Sequence, residues 1–216
     1  MRILPVAGGG SLEKAQSVVS AYPGIWSGTV LDIGCRDQAL RRALEGLSVR
    51  YVGLDVHQPA DVLADLDRGI PMAAGEADVA VALDVLEHTN TIHYVFDELC
   101  RVARRHIVIA LPNQFDIGNR WATVLGRNRS GKYGLPLEPP SDRHRWLFPF
   151  EEARNFCRHR AHAVGWRVVD EAVMLGPKRR RIEPLVRNWP SLFAPDLVTH
   201  LVPRDQASPS TAGRDR

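Results

Sequence analysis

Two carboxylates bracket the residues of this 216-residue chain best suited to bind a nucleoside. Asp32 lies in Val30-Leu31-Asp32-Ile33-Gly34-Cys35-Arg36, and Asp55 ends Tyr51-Val52-Gly53-Leu54-Asp55, twenty-one positions after Gly34. An apolar run ending in Asp-x-Gly reads as a buried parallel strand that stops at a tight turn. An acid at the end of the next strand stands where strand-helix-strand nucleotide sites put the carboxylate that accepts both ribose hydroxyls. A dinucleotide site needs G-x-G-x-x-G so that the backbone can approach a pyrophosphate, but here Cys35, Arg36, Asp37, Gln38 and Ala39 follow Gly34. Such bulky and charged residues leave little room for two phosphates. The pattern suits a ligand with adenine and ribose but no pyrophosphate, and it argues against a nicotinamide oxidoreductase.

Three further motifs place polar residues at the ends of apolar runs: Ala64-Asp65-Leu66, Asp84-Val85-Leu86-Glu87-His88 and Leu111-Pro112-Asn113. Taken in order with Val30 to Cys35 and Gly53 to Asp55, they resemble the landmarks of class I S-adenosylmethionine-dependent methyltransferases, in the branch of small single-domain enzymes. The resemblance covers roughly residues 12–203, and the ordered set is far more specific than a lone Asp-x-Gly.

The resemblance implies S-adenosyl-L-methionine as cofactor and a set of residue roles. Asp32 helps hold the methionine ammonium, directly or through water. Gly34 lies in the turn under the cofactor, where a side chain would collide with the methionine or ribose portion; the plainer reading is an ordinary strand-end glycine. Asp55 offers two acceptor oxygens to the two ribose hydroxyls, or else caps a helix. Asp65 accepts from the adenine amino group while Leu66 donates its backbone N–H to the ring, with Asp67 competing for the first role. Asp84 ends a strand at the carboxyl edge, where ligands of open α/β sheets bind, and faces the methionine moiety. The chain departs from the family in one respect. The usual D-x-G-x-G-x-G reads Asp32-Ile33-Gly34-Cys35-Arg36-Asp37-Gln38, so two of three glycines are replaced. Arg36 then either reaches the methionine carboxylate as a charge-assisted donor or points to solvent from the helix start.

Methyl transfer asks for positioning and water exclusion, and for a base only when the acceptor is a hydroxyl or a protonated amine. The candidate bases are His88, Asp116 and His144, with Asn113 as an orienting group. His88 can equally be a structural histidine. His144 sits in Asp142-Arg143-His144-Arg145-Trp146, where cations could hold an anionic substrate and Trp146 could cover it, or where Trp146 simply anchors a surface loop. No His/Asp/Glu group has metal-ligand spacing in the sequence, so no metal is inferred.

These residues need a scaffold. The chain length suits one α/β domain, and 44% hydrophobic with 25% charged residues is ordinary for a soluble globular protein. Apolar strands at about 29–34, 50–54, 62–64, 77–83, 106–111, 166–175 and 196–202 alternate with helices at about 11–22, 37–47, 91–103, 149–162 and 181–189. Strands apolar throughout are buried on both faces. The expected fold is α/β and Rossmann-like: a doubly wound, mostly parallel seven-stranded sheet with helices on both faces, in the order 3-2-1-4-5-7-6 that the resemblance implies. The domain is expected over 11–203, with a substrate-covering insertion at about 113–147, a flexible lead-in at 1–10 and a disordered tail at 204–216.

Composition narrows the partners. The three cysteines, Cys35, Cys100 and Cys157, are odd in number and widely spaced, which gives neither a disulfide framework nor zinc pairs. No apolar run approaches the ~20 residues of a membrane span, the N-terminus is too short and broken for a secretory signal core, and a cytoplasmic location is expected. The net charge is +3, with its densest lump at Lys178-Arg179-Arg180-Arg181, either a solvated loop or a phosphate contact. The reading that follows is a methyltransferase acting on a small-molecule or metabolite acceptor by in-line displacement. A nucleic-acid methyltransferase and a non-catalytic S-adenosylmethionine-binding scaffold are the alternatives. Neither the acceptor atom nor the oligomeric state is legible.

Overall fold

A computed structural model describes residues 1–127, 137–140 and 143–205 of the chain. Eight strands form one sheet: β1 Arg2–Pro5, β2 Gly28–Ile33, β3 Val49–Asp55, β4 Val62–Leu63, β5 Ala77–Leu83, β6 Ala103–Pro112, β7 Trp166–Leu175 and β8 Asp196–Pro203. Their spatial order is β1-β7-β8-β6-β5-β2-β3-β4. Among the described strands only β8 runs antiparallel to its neighbours, β6 and β7. This is the expected order with one strand added. Residues 2–5, assigned from the sequence to a flexible lead-in, pair in parallel with β7 and extend the sheet to eight strands. Four residues with a proline are too few for a period-two signal, so β1 was invisible to patterning.

Side chains alternate between the two faces, as strand geometry requires. Leu31, Ile33, Ala80, Ala82, Ile107 and Ile109 pack on one side against α3 (Ile92–Val102) and α5 (Phe150–Ala163). Val30, Val79, Val81, Val108 and Ala110 pack on the other against α1 (Ser11–Ala21) and α2 (Ala39–Ala43). Helices therefore cover both faces. The strand order reverses between β2 and β5, which opens a crevice outside their carboxyl ends.

Several elements differ from their expected bounds for local reasons. The helix expected at 37–47 is only the five residues of α2, because Gln38 before it holds a left-handed φ of 55° and the chain passes into turns after Ala43. Ser11 does not cap α1; its Oγ donates to Asp37 at 3.0 Å, and Gly10 occupies the cap position. The helix expected at 181–189 is broken into α6 (Pro177–Arg180), α7 (Glu183–Asn188) and α8 (Pro190–Phe193), each with proline in its first turn, where the missing N–H costs nothing. The expected covering segment holds α4, Ile117–Val124, while residues 128–136 and 141–142 of it lie outside the described residues, as does the tail from 206 onward. Among the described residues no helix is long and apolar enough to cross a membrane.

Candidate functional site

A cleft of about 570 Å³ opens at the switch point, lined by Asp32, Gly34, Cys35, Arg36 and Asp84 from the strand ends and by Lys14 from α1. Its floor is the turn after β2. The N–H groups of Gly34 and Cys35 both donate to the Leu54 carbonyl of β3, at 2.7 and 3.2 Å, so the turn folds back over the neighbouring strand. Gly34 has a φ of 66°, and a Cβ there would stand 2.5 Å from Val85 Cγ2. The structural demand for glycine therefore comes from the β5 side of the crevice and from the backbone, and needs no ligand. Arg36 and Gln38, which replace the two family glycines, keep glycine-like φ values of 43° and 55°. Non-glycine residues hold this backbone at a conformational cost of about 1 to 3 kcal/mol each.

Asp55 ends β3 beside this turn. Its Oδ2 accepts the Arg36 N–H and its Oδ1 the His57 N–H, both at 3.0 Å. Each oxygen keeps a second lone pair, but Asp55 is not among the residues lining the cleft. Asp32 is buried at the bottom, where the Tyr51 hydroxyl donates to it at 2.7 Å and burial pushes its carboxyl up to about 7. Asp84, at the end of β5, has a left-handed φ of 55° and is ion-paired with Lys14. Burial pulls the Lys14 ammonium down, but the Asp84 carboxylate more than offsets this and holds it above its ordinary range. Asp65 caps a 3₁₀ turn, accepting from the Asp67 N–H at 3.1 Å, while Asp67 is engaged by Asn90 and Thr91. Leu66 is buried in that turn.

The three candidate bases divide. Asp116 is committed to structure: it caps α4 through the Asn119 N–H at 2.9 Å and is ion-paired with Arg179. His88 and His144 come together with their ring centroids 4.5 Å apart, and the Nε2 of each lies within 4 Å of an oxygen of the fully buried Glu87. Asn113 is also structural, its amide donating to the Ala194 carbonyl at 2.8 Å and its oxygen accepting the Phe115 N–H at 3.1 Å. Arg179 and Lys178 of the basic run line a second cavity of about 490 Å³, whose walls include Val6, Pro112, Met174 and Pro195. The two cavities share Gly9, Lys14 and Asp84. All three cysteines are free and buried, and burial pushes the Cys35 thiol up to about 12, which favours its neutral form.

Sequence reasoning missed Lys14, Asp196 and Gln114. Lys14 reads as one polar residue of an amphipathic helix. Asp196 is buried behind Lys14, accepts the Met174 N–H at 2.8 Å and is pushed up to about 7 by burial. Gln114 lies 3.2 Å from His144 Nδ1 and accepts the Phe148 N–H at 3.0 Å. Nothing in the local pattern marks any of the three, since their partners lie far along the chain.

Residues 31–110 match the family described as Methyltransferase domain. Among curated proteins none matches the chain in sequence. Among solved structures, a SAM dependent methyltransferase from Archaeoglobus fulgidus aligns with a TM-score of 0.59 and 14% identity, over 90% of this chain and 95% of that one. The small RNA methyltransferase HEN1 aligns with a TM-score of 0.65 and 12% identity, over 93% of this chain but only 26% of its own. The 1,6-didemethyltoxoflavin-N1-methyltransferase of Burkholderia thailandensis, crystallised with S-adenosylhomocysteine, aligns with a TM-score of 0.57 and 15% identity, over 90% and 78% of the two chains. At these identities the structural likeness is one of fold. Residues 31–110 thus carry a methyltransferase domain, and the chain as a whole has the fold of S-adenosylmethionine-dependent methyltransferases.

Proposed function

We propose that this enzyme methylates a small-molecule acceptor with an apolar body, bound in the cavity between Met174, Pro195 and Lys178. The observation that carries the reading is the wall shared by the two cavities: Lys14 and Asp84 face both. A donor in the first cavity and an acceptor in the second meet across that wall at the carboxyl edge of the sheet.

The residues of the first cavity fit S-adenosylmethionine. Asp84 Oδ1 is buried and has no hydrogen-bond partner among the described residues, and an ammonium group supplies the donor it lacks. Asp32 adds a second carboxylate for that group and Arg36 a guanidinium for the methionine carboxylate, while Asp55, beside the turn but outside the cleft lining, keeps acceptor lone pairs for the ribose diol. Asp65 and the Leu66 N–H, in the turn after β4 and outside the cleft lining, are the groups assigned to the adenine. When bound, the cofactor supplies an electrophilic methyl on a sulfonium leaving group. The protein contributes in-line alignment and a dry site, both effects on the entropy and solvation of approach. With Asp116 committed to Arg179, His88 and His144 remain of the three candidate bases, and neither lines the two cavities.

An acceptor panel of aromatic and aliphatic alcohols, amines and acids, followed by release of S-adenosylhomocysteine, tests the proposal. Met174→Trp, which fills the second cavity, should raise the acceptor KM about tenfold or more while leaving S-adenosylhomocysteine affinity unchanged. Cofactor binding without turnover on any acceptor would favour a scaffold, and RNA binding with a steep salt dependence would favour a nucleic-acid substrate.

A further inference from the structure

Glu87 and His88 sit in a 3₁₀ turn, Leu86–His88, that follows β5, and His144 arrives from a loop joined to it only through space: fifty-seven positions separate Trp146 from Thr89, whose carbonyl accepts the Trp146 indole N–H at 2.9 Å. The backbone N–H groups of Arg145 and Trp146 donate to the Glu87 carbonyl at 2.8 and 3.2 Å, and Arg145 Nε donates to the His88 carbonyl at 3.0 Å. These bonds fix the loop against the turn and bring three metal-ligand types together. Glu87 Oε1 lies 3.8 Å from His88 Nε2 and 3.9 Å from His144 Nε2. One candidate ligand atom from each residue lies within 4.8 Å of the others.

The tautomer of His88 says what belongs between them. Its Nδ1 is 3.0 Å from the Arg143 carbonyl oxygen, and a carbonyl only accepts, so Nδ1 carries the proton and the Nε2 lone pair faces the Glu87 carboxylate. A lone pair and a fully buried carboxylate that face each other favour an electropositive centre between them. Metal-binding histidines are oriented in this way, through a backbone carbonyl on the other ring nitrogen.

We propose that Glu87, His88 and His144 form a binding site for a divalent cation of the zinc class, held by one carboxylate oxygen and two imidazole nitrogens. Donor atoms of a tetrahedral ion with bonds of about 2.1 Å stand about 3.4 Å apart, so the two edges to Glu87 contract by roughly half an ångström and the edge between the imidazoles by up to about 1.4 Å to close on the ion. Three protein donors leave a position open to water or to an oxygen of a ligand. Binding through His144 Nε2 places the proton on Nδ1. The Gln114 amide then makes a half-turn to accept it, giving up its bonds to the Phe148 N–H and the Trp146 carbonyl. The proposal is independent of the methyl acceptor, because its readout is the ion itself.

The test uses the full chain stripped with a chelator and titrated calorimetrically with Zn²⁺, then with Mn²⁺ and Mg²⁺. One equivalent of Zn²⁺ should bind and raise the melting temperature, and His88→Ala and His144→Ala should each weaken it by about 100-fold or more, a loss at least as large as outer-shell changes produce. Each variant is qualified by its far-UV circular dichroism and its affinity for S-adenosylhomocysteine. Should either variant misfold, Co²⁺ bound to the wild-type chain decides: d–d bands without sulfur charge transfer support the site, and thiolate charge transfer overturns it. A wild-type chain that binds S-adenosylhomocysteine but no Zn²⁺ overturns it too, as does Zn²⁺ affinity that survives in the folded His88→Ala/His144→Ala double variant.

Discussion

The ammonium of Lys14 on α1 rests on the carboxylate of Asp84, the residue that ends β5 at the point where the strand order reverses. The pair ties the first helix to the carboxyl edge of the sheet and closes the wall between the two cavities. It also sets a positive charge beside the place proposed for the sulfonium and ammonium of the cofactor.

Lys14→Met removes that charge and leaves the Asp84 carboxylate to the cofactor. S-adenosylmethionine carries one more positive charge than S-adenosylhomocysteine, so the ratio of their affinities reports the change. We expect the ratio to shift toward S-adenosylmethionine by about tenfold, the size of a charge-assisted contact in a partly solvated site. The same variant should lose about 1 to 3 kcal/mol of stability in the ligand-free state, because a partly buried carboxylate loses its ionic partner. Calorimetry with both ligands and a urea titration measure the two effects, and an unchanged ratio would remove Lys14 from the cofactor site.

Asp32 and Asp196 predict how stability follows pH. Burial pushes each from 3.8 up to about 7. The folded state thus binds protons between about pH 4 and 7 that the unfolded chain has already released, and stability falls as pH rises through that window. A cofactor ammonium favours the ionised form of Asp32, so S-adenosylmethionine affinity should rise from pH 6 to 7.5 with net release of protons. Titrations at each pH in two buffers of different ionisation heat give the proton count. In Asp32→Asn the released protons should drop, and if they do not, Asp32 is not the linked group.

The turn after β2 carries a conformational prediction. Arg36 and Gln38 hold left-handed backbone where the family pattern has glycine. Gln38→Gly relieves that strain at the expense of one exposed bond, Nε2 to the Pro59 carbonyl at 3.1 Å, and some unfolded-chain entropy. A net gain of about 0.5 to 1 kcal/mol is expected. Arg36→Gly should relieve strain equally yet weaken S-adenosylmethionine binding by about tenfold through loss of the guanidinium. Tighter or equal binding in Arg36→Gly assigns that side chain to solvent.

What the sequence made legible and what it hid follow from contact range. Asp32, Gly34 and Asp55 were legible because one strand-turn-strand unit places them, and apolar periodicity reports such units directly. Asp84 was legible as the end of a buried strand. The replaced glycines left the shape of the turn open, and Arg36 and Gln38 adopt left-handed backbone of the kind glycine favours. Asp116 looked like a base because its partner, Arg179, lies sixty-three positions away. Likewise the grouping of Glu87 with His144 depends on a loop docking by backbone bonds, and no ligand spacing along the chain can report it.

That docked loop supplies the last prediction, through Gln114. The amide oxygen now serves the Phe148 N–H while its nitrogen faces His144 Nδ1 and the Trp146 carbonyl, so an ion on His144 Nε2 must reverse the amide and forfeit the bonds to Phe148 and Trp146. Gln114→Glu has two acceptor oxygens, one for the Phe148 N–H and one for a protonated Nδ1, and needs no reversal. A carboxylate on the far nitrogen also makes the imidazole a stronger donor. Zn²⁺ affinity should therefore rise by about tenfold in Gln114→Glu and fall in Gln114→Leu, which offers His144 no acceptor. Equal Zn²⁺ affinity in all three proteins would mean that His144 does not ligate through Nε2, and the ion, if bound, would then rest on Glu87 and His88 alone.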